Sequence, residues 1–223
     1  MYSNQFKRHE QNYERLINGD LVVIRLDMEN GKHVCKLHEQ PYDSVFLDAV
    51  IDTFKAIVSF IPNVIAGYVI SDEISLIWPS TTRWQSNRLL KICSISASYA
   101  GKELNNAYRS RAPLGSVYDS TLNTLYFDCR VFNLSRNEVL PYLQIRQDNN
   151  VFGNLHWKAK QIVEDRIVQQ HKSEKSKRRL LLELNADFEE DPKRFSYGVL
   201  YTNSQGFNPE VGDFRQWKRL NLL

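Results

Sequence analysis

The sequence predicts an α+β fold, a ferredoxin-like antiparallel sheet with helices on one face, continued by a C-terminal extension of helices and small strands. Three observations carry this expectation. Residues 21–27 (LVVIRLD) are an apolar strand that ends on Asp27. Residues 44–61 place Phe46, Ala49, Val50, Phe54, Ile57 and Ile61 on one helical face and Ser44, Asp48, Asp52, Lys55 and Ser59 on the other, the periodicity of an amphipathic helix. Residues 64–78 (VIAGYVISDEISLIW) are two apolar runs broken by Ser71-Asp72-Glu73, which reads as a tight turn between antiparallel strands. A strand–helix–strand–turn–strand order crosses over right-handedly, so Asp27 is expected beside Asp72.

The remaining elements follow in order. Residues 1–20 form a charged lead-in, closed by an Asn18-Gly19-Asp20 turn. Residues 28–42 form a loop with Asn30-Gly31 and Pro41. Its His33, Cys35 and His38 suggest zinc only weakly, since a structural site takes four ligands and no fourth lies nearby. After a polar turn, residues 86–106 form a helix with Leu89, Ile92, Ile95, Ser96, Tyr99 and Ala100 inward. Its Arg88 and Lys91 either lie on a solvated face or reach triphosphate oxygens, provided the helix passes over the carboxylates. Residues 109–124 are loop-like, and residues 125–131 (LYFDCRV) form a fourth strand. Its Asp128 and Arg130 share a face, as an ion pair or as the lining of a cleft. Ser135 and Glu138 make a capping box that opens a helix to about residue 163, with Pro141 early in it. A short helical stretch to about residue 170 precedes the densest basic run in the chain, residues 171–179 with Lys175, Lys177, Arg178 and Arg179. That run is either a solvated face or a phosphate contact. Residues 196–202 (SYGVLYT) are strand-like. The expected division is a palm-like catalytic core over residues 1–134 and an extension over residues 135–223 packed on the same domain.

Two carboxylates held together at a strand edge repel unless a cation sits between them, and hard oxygen donors in an open site suit Mg²⁺. This is the palm-type arrangement of polymerases and nucleotide cyclases, in which two metal ions clamp the attacking and leaving oxygens of a phosphoryl transfer. The plainer alternative is that Asp27 caps a loop and Ser-Asp-Glu is hairpin-turn chemistry.

Composition sets the outer bounds. A chain of 223 residues can bury a core without disulfide staples. The net charge of +3 is too small to identify a partner, so any nucleic-acid argument depends on where the cations lie. Cys35, Cys93 and Cys129 are far apart in sequence and odd in number, which fits reduced thiols. No secretory pattern or apolar run of about 18 residues is present, and a cytoplasmic protein with no membrane partner is expected.

Together these stretches resemble the tRNA-histidine guanylyltransferase family, and especially its shorter relatives, the guanylyltransferase-like 3'-5' polymerases. The likeness runs from about residue 21 to 201, through VVIRLD, Pro41-Tyr42-Asp43-Ser44, SDEISLIW, the Arg88/Lys91 helix, FDCRVF (residues 127–132), Arg146-Gln147, Lys177 before an apolar run, and the stretch from Pro192 to Tyr-Gly-Val at residues 197–199. The resemblance implies a palm that adds nucleotides to the 5' end of tRNA or tRNA-like RNA, with GTP and ATP as substrates. It implies two Mg²⁺ ions held by Asp27, Asp72 and the Met28 carbonyl, with Asp27, Asp72 and Glu73 as catalytic carboxylates. It also implies a nucleotide site at Asp27, Met28, Glu29, Asn30, Gly31, Lys32, Ser71, Asp72, Arg88 and Lys91. RNA contacts are expected at Arg130, Arg146, Gln147, Lys175, Lys177, Arg178 and Arg179, and a homotetramer as the assembly.

Three departures stand out. The family loop reads Asp-Gly-Arg-Asn-Phe-His where this chain has Asp27-Met28-Glu29-Asn30-Gly31-Lys32. A carbonyl ligand survives the change, but Met28 would be strained if the family glycine needs positive φ. Ile145 replaces the Trp before Arg-Gln, and Val151-Phe152-Gly153-Asn154 replaces the His-Ile-Asn-Asn run, which argues against strict tRNA-histidine specificity. Lys-Asn-Glu becomes Lys177-Arg178-Arg179. Two other functions fit the same carboxylates or the same fold: a palm-fold cyclase or oligonucleotide synthase, and a silent RNA-binding palm protein.

Overall fold

The computed structural model describes residues 20–29, 31, 43–111 and 125–217. The lead-in, the His33/Cys35/His38 cluster, Asn30, Lys32 and most of the 109–124 loop lie outside the described residues.

Strand β1 (Leu21–Met28) is followed by helix α1 (Ser44–Phe60), β2 (Ala66–Ile70) and β3 (Glu73–Pro79). Two short 3₁₀ turns (Ser80–Thr82 and Trp84–Asn87) lead to α2 (Leu89–Arg111), and then to β4 (Phe127–Leu134). The extension contributes α3 (Val139–Lys160), α4 (Asp165–Gln170), α5 (Glu174–Glu183), the single turn α6 (Lys193–Ser196), β5 (Val199–Thr202) and β6 (Gly206–Asn208). All six strands join one sheet in the order β4-β1-β3-β2-β5-β6, antiparallel at every pairing.

The helices start where the sequence supplies caps. Asp43 accepts from the Phe46 amide at 2.8 Å, satisfying one of the first-turn donors of α1. Ser135 and Glu138 form the expected capping box, but around a 3₁₀ turn (Arg136–Glu138) that precedes α3. Pro141 therefore falls in the first turn of α3, where its missing N–H costs nothing. α2 starts at residue 89 rather than 86, because Gln85, Ser86 and Asn87 all take left-handed φ of 51–57°.

β1 is buried on both faces because helices cover both. Val22, Ile24, Leu26 and Met28 pack with Phe54, Ile57, Ile92 and Leu104 of α1 and α2. Leu21 and Val23 pack on the other side with Phe132, Val139, Leu143, Leu155 and Leu181, under α3 and α5. A strand buried on two sides reads as a continuous apolar run instead of an alternation. The two palm helices thus share one face as expected, and the extension fills the opposite face and lengthens the sheet by two strands.

Candidate functional site: a carboxylate edge at the β2–β3 turn

β1 and β2 both end at the same edge of the sheet, with β3 starting between them. β2 passes into β3 through the two-residue turn Ser71-Asp72, and Ser71 takes a left-handed φ of 55° to close it. The Met28 amide donates to the Asp72 carbonyl at 3.2 Å, tying the end of β1 to the turn. Asp27 and Asp72 are consequently neighbours. Burial pushes the Asp72 carboxyl up to about 6, and repulsion from Asp27 adds to the shift. Met28 ends a regular strand and is not among the residues with positive φ, so the strain expected there is absent.

Gly31 packs against Asp72. A Cβ placed on Gly31 would fall 1.7 Å from Asp72 Oδ2. The loop backbone can reach the carboxylate only because the residue has no side chain.

A row of side chains lines the same edge on the α3 side of the sheet. Asp27 stands directly across from Glu73 on β3 and from Asp128 on β4. The Glu73 carboxylate is 3 % exposed and is gripped by Arg146 of α3, whose Nε donates to Oε1 at 2.7 Å while Nη2 binds Oε2. Asp128 accepts from Arg130 two residues along the strand at 3.2 Å, which is the ion-pair reading of those residues. Asp27 and Asp72 have no ion-pair partner among the described residues.

Several sequence expectations change here. Glu73 does not open to a substrate, because Arg146 neutralises it inside the protein; its role is to anchor α3 to the sheet, and Arg146 spends its fork on that anchor. Gln147 is 1 % exposed, donating to the Tyr197 and Gly212 carbonyls at 3.1 Å and accepting from the Phe214 amide at 2.7 Å. Lys177 is also internal, in contact with His156 Nδ1 at 3.1 Å and lying over the Phe152 ring. Neither side chain can touch RNA in this fold. Arg178 is held by Glu174 and Glu189. Of the basic run, Lys175 and Arg179 are exposed, and Arg179 pairs along the helix with the exposed Glu183.

Arg88 and Lys91 are exposed but do not meet the carboxylates. β3 runs away from the Asp72 turn, Ser80 hydrogen-bonds to Asp20 at the start of β1, and Asn87 reaches back to the Ser80 carbonyl. The start of α2 therefore lies at the opposite edge of the sheet. It is the other end of α2 that approaches the site, where Asn105 bonds to the Leu125 carbonyl at 2.8 Å, just ahead of β4.

Asp128 escaped the sequence reading as a member of the carboxylate row. Its signal was the Phe-Asp opening of the fourth strand, which becomes informative only once β4 is known to pair with β1 in this register.

Among the described residues no cluster of three or more His, Cys, Asp or Glu is arranged to hold a metal ion. The donor set that does fit a hard cation is smaller: two adjacent carboxylates with no counter-cation among the described residues, one of them raised in pKa by burial and then by the other, beside the backbone of Met28.

The fold and the paired strand-end carboxylates define a palm-like α+β protein. The sequence model of the tRNAHis guanylyltransferase (Thg1) family matches residues 3–135, and the chain belongs to that family. The tRNA(His) guanylyltransferase 1 of Arabidopsis thaliana is 27% identical over 145 residues, covering 62% of this chain and 25% of that protein. The matched region thus spans about a quarter of that curated relative. Among solved structures, a bacterial tRNA(HIS) guanylyltransferase (Thg1)-like protein in complex with ATP superposes with a TM-score of 0.80 at 22% identity, covering 98% of this chain and 96% of the other. The tRNA(His) guanylyltransferase of Saccharomyces cerevisiae gives 0.75 at 19% identity, covering 96% and 99%. The bacterial protein in complex with GTP gives 0.66 at 22% identity, covering 98% and 96%. At these identities the structures establish a shared fold.

Proposed function

We propose that this protein is a metal-dependent nucleotidyltransferase that adds nucleotides in the 3'-5' direction to the 5' end of a tRNA or tRNA-like RNA. The observation that carries the proposal is the meeting of Asp27 and Asp72 at one end of the sheet, with no ion-pair partner among the described residues. Family membership supports this chemistry over the other palm chemistries, and the complexes of structural relatives with ATP and GTP support nucleoside triphosphates as substrates.

In this reading Asp27, Asp72 and the Met28 carbonyl would hold Mg²⁺, which when bound would lower the pKa of an attacking hydroxyl and offset charge on phosphate oxygens. The triphosphate would lie along Met28, Glu29, Asn30, Gly31 and Lys32, against Ser71 and Asp72. The 3'-hydroxyl of the incoming nucleotide attacks the activated 5'-phosphorus of the RNA, and pyrophosphate or AMP leaves. Glu73 and Arg146 act from behind, fixing the β2–β3 turn against α3. RNA phosphates meet the exposed cations Lys175 and Arg179 on α5 and Arg88 and Lys91 at the start of α2. The catalytic core over residues 1–134, a cytoplasmic site of action and a homotetramer belong to the same reading.

The test is incorporation of each α-labelled nucleoside triphosphate onto a 5'-truncated tRNA bearing a 5'-triphosphate, in Mg²⁺, by the intact protein and by Asp72→Ala. Template-dependent addition that disappears in the variant supports the proposal. Product formed from nucleotide alone points to a cyclase or synthase, and RNA binding without addition points to a silent palm.

A further inference from the structure

Cys93 and Cys129 are separated by a long stretch of chain, yet the fold brings them together. Cys93 lies in the first turns of α2 and Cys129 is the third residue of β4. Both are free and part-buried against the same core, and each thiol acts on the other electrostatically. The contact follows from how α2 lies along β4. Further along the same helix, Gly101 is packed so that a Cβ would sit 3.6 Å from the Leu125 carbonyl, and Asn105 bonds that carbonyl. Helix and strand run antiparallel through this contact, so Cys93 comes level with Cys129. Cys129 pairs in register with Leu26, one residue from the Asp27–Asp128 pair.

We propose that Cys93 and Cys129 form an oxidative modification site, a dithiol that closes to a disulfide and ties α2 to β4 beside the carboxylate edge. Thiols carried level with one another on a packed helix and strand need only side-chain rotation to reach bonding geometry. Their environments also divide the work. The Cys93 thiol is lowered from its ordinary value, chiefly by the Cys129 thiol, and it is the less enclosed of the two. Cys129 is raised by Cys93 and by burial, with the Asp128 charge acting in the same direction. As the less enclosed of the two, Cys93 is the group that meets an oxidant, and Cys129 the group that resolves the product.

With a peroxide as oxidant the steps balance. The Cys93 thiolate attacks one peroxide oxygen, the O–O bond breaks, and hydroxide leaves and takes up a proton as water. The resulting sulfenic acid is attacked by the Cys129 sulfur, the S–O bond breaks, and a second water departs with the Cys129 proton. Two thiols and one hydrogen peroxide give one disulfide and two waters. The inference stands whether or not the protein transfers nucleotides.

The experiment is treatment of the full-length folded protein with millimolar hydrogen peroxide, alkylation of remaining thiols, and peptide mapping without reduction. The expected result is a loss of 2 Da, a cross-linked peptide joining Cys93 to Cys129, an alkylated Cys35, and reversal by dithiothreitol. Cys93→Ser should leave Cys129 alkylatable after peroxide, whereas Cys129→Ser should drive Cys93 toward sulfinic acid. Sulfinic acid on Cys93 of the unmodified sequence, a cross-link through Cys35, or two thiols still alkylatable after oxidation would each overturn the proposal. The mapping on the unmodified sequence decides the matter even if a serine variant fails to fold.

Discussion

Asp27 and Glu73 stand directly opposite one another on neighbouring strands, but among the described residues only Glu73 has a cation, the Arg146 guanidinium that clasps it from α3. Two acidic residues at the same sheet edge are thereby given different fates. One is neutralised inside the protein, and the other, together with Asp72, is left with charge that a ligand can satisfy.

That asymmetry makes Arg146 a stability residue. Arg146→Met should leave the Glu73 carboxylate buried and uncompensated, at a cost of about 3–5 kcal/mol in unfolding free energy. Urea denaturation would show it as a lower midpoint with an unchanged slope. The double variant Arg146→Met/Glu73→Gln should recover a large part of the loss, because the stranded charge is removed.

The raised Asp72 carboxyl predicts a pH dependence with a definite sign. In the folded chain Asp72 takes up its proton near pH 6, and in the unfolded chain near the ordinary value of 3.8. Between those values the folded state binds the extra proton, so this residue contributes a stability that rises as pH falls from about 6 to about 4. Asp72→Asn should lack that component when thermal midpoints are compared at pH 7 and pH 5. Mg²⁺ should raise the midpoint at pH 7 in the unmodified sequence and do little for Asp72→Asn.

Gly31 predicts a local effect. Gly31→Ala pushes a methyl into the space of Asp72 Oδ2, so the loop must move away from the carboxylate. Nucleotide addition should fall by at least about tenfold, a barrier change of about 1.4 kcal/mol, while the circular dichroism spectrum stays that of the unmodified protein. An active Gly31→Ala protein would mean that the loop does not work in this position.

Gln147 and Arg179 should behave in opposite ways. Gln147→Ala strands two carbonyls and one amide in the interior, costing about 1–3 kcal/mol for each group that water cannot reach, and it should leave RNA affinity per folded molecule unchanged. Arg179→Ala should barely affect stability, since its partner Glu183 is exposed too. If Arg179 meets a phosphate, the slope of log affinity against log salt should shrink by about 0.7–0.9. Filter binding across a salt series, with denaturation curves on the same preparations, separates the two.

The chain itself determined much of this protein. The period of residues 44–61, the apolar run of β1 and the Ser-Asp-Glu interruption specify helix, strand and turn from local pattern, and a right-handed crossover is enough to bring Asp27 to Asp72. Tertiary structure alone decided which polar groups are spent. Glu73 and Asp72 are adjacent in sequence, but strand geometry turns one toward Arg146 and leaves the other in the turn. Gln147, Lys177 and Arg146 look like surface polar residues in a helix pattern until docking of α3 and α5 against the sheet and the C-terminal segment buries the first two and half-buries Arg146. Arg88 and Lys91 follow the turn by few residues, yet β3 carries the chain to the far edge before α2 begins. Cys93 and Cys129 meet only because α2 returns along β4. Local sequence sets backbone preference and period; whether a polar side chain faces water, a counter-charge or another thiol depends on elements distant in the chain.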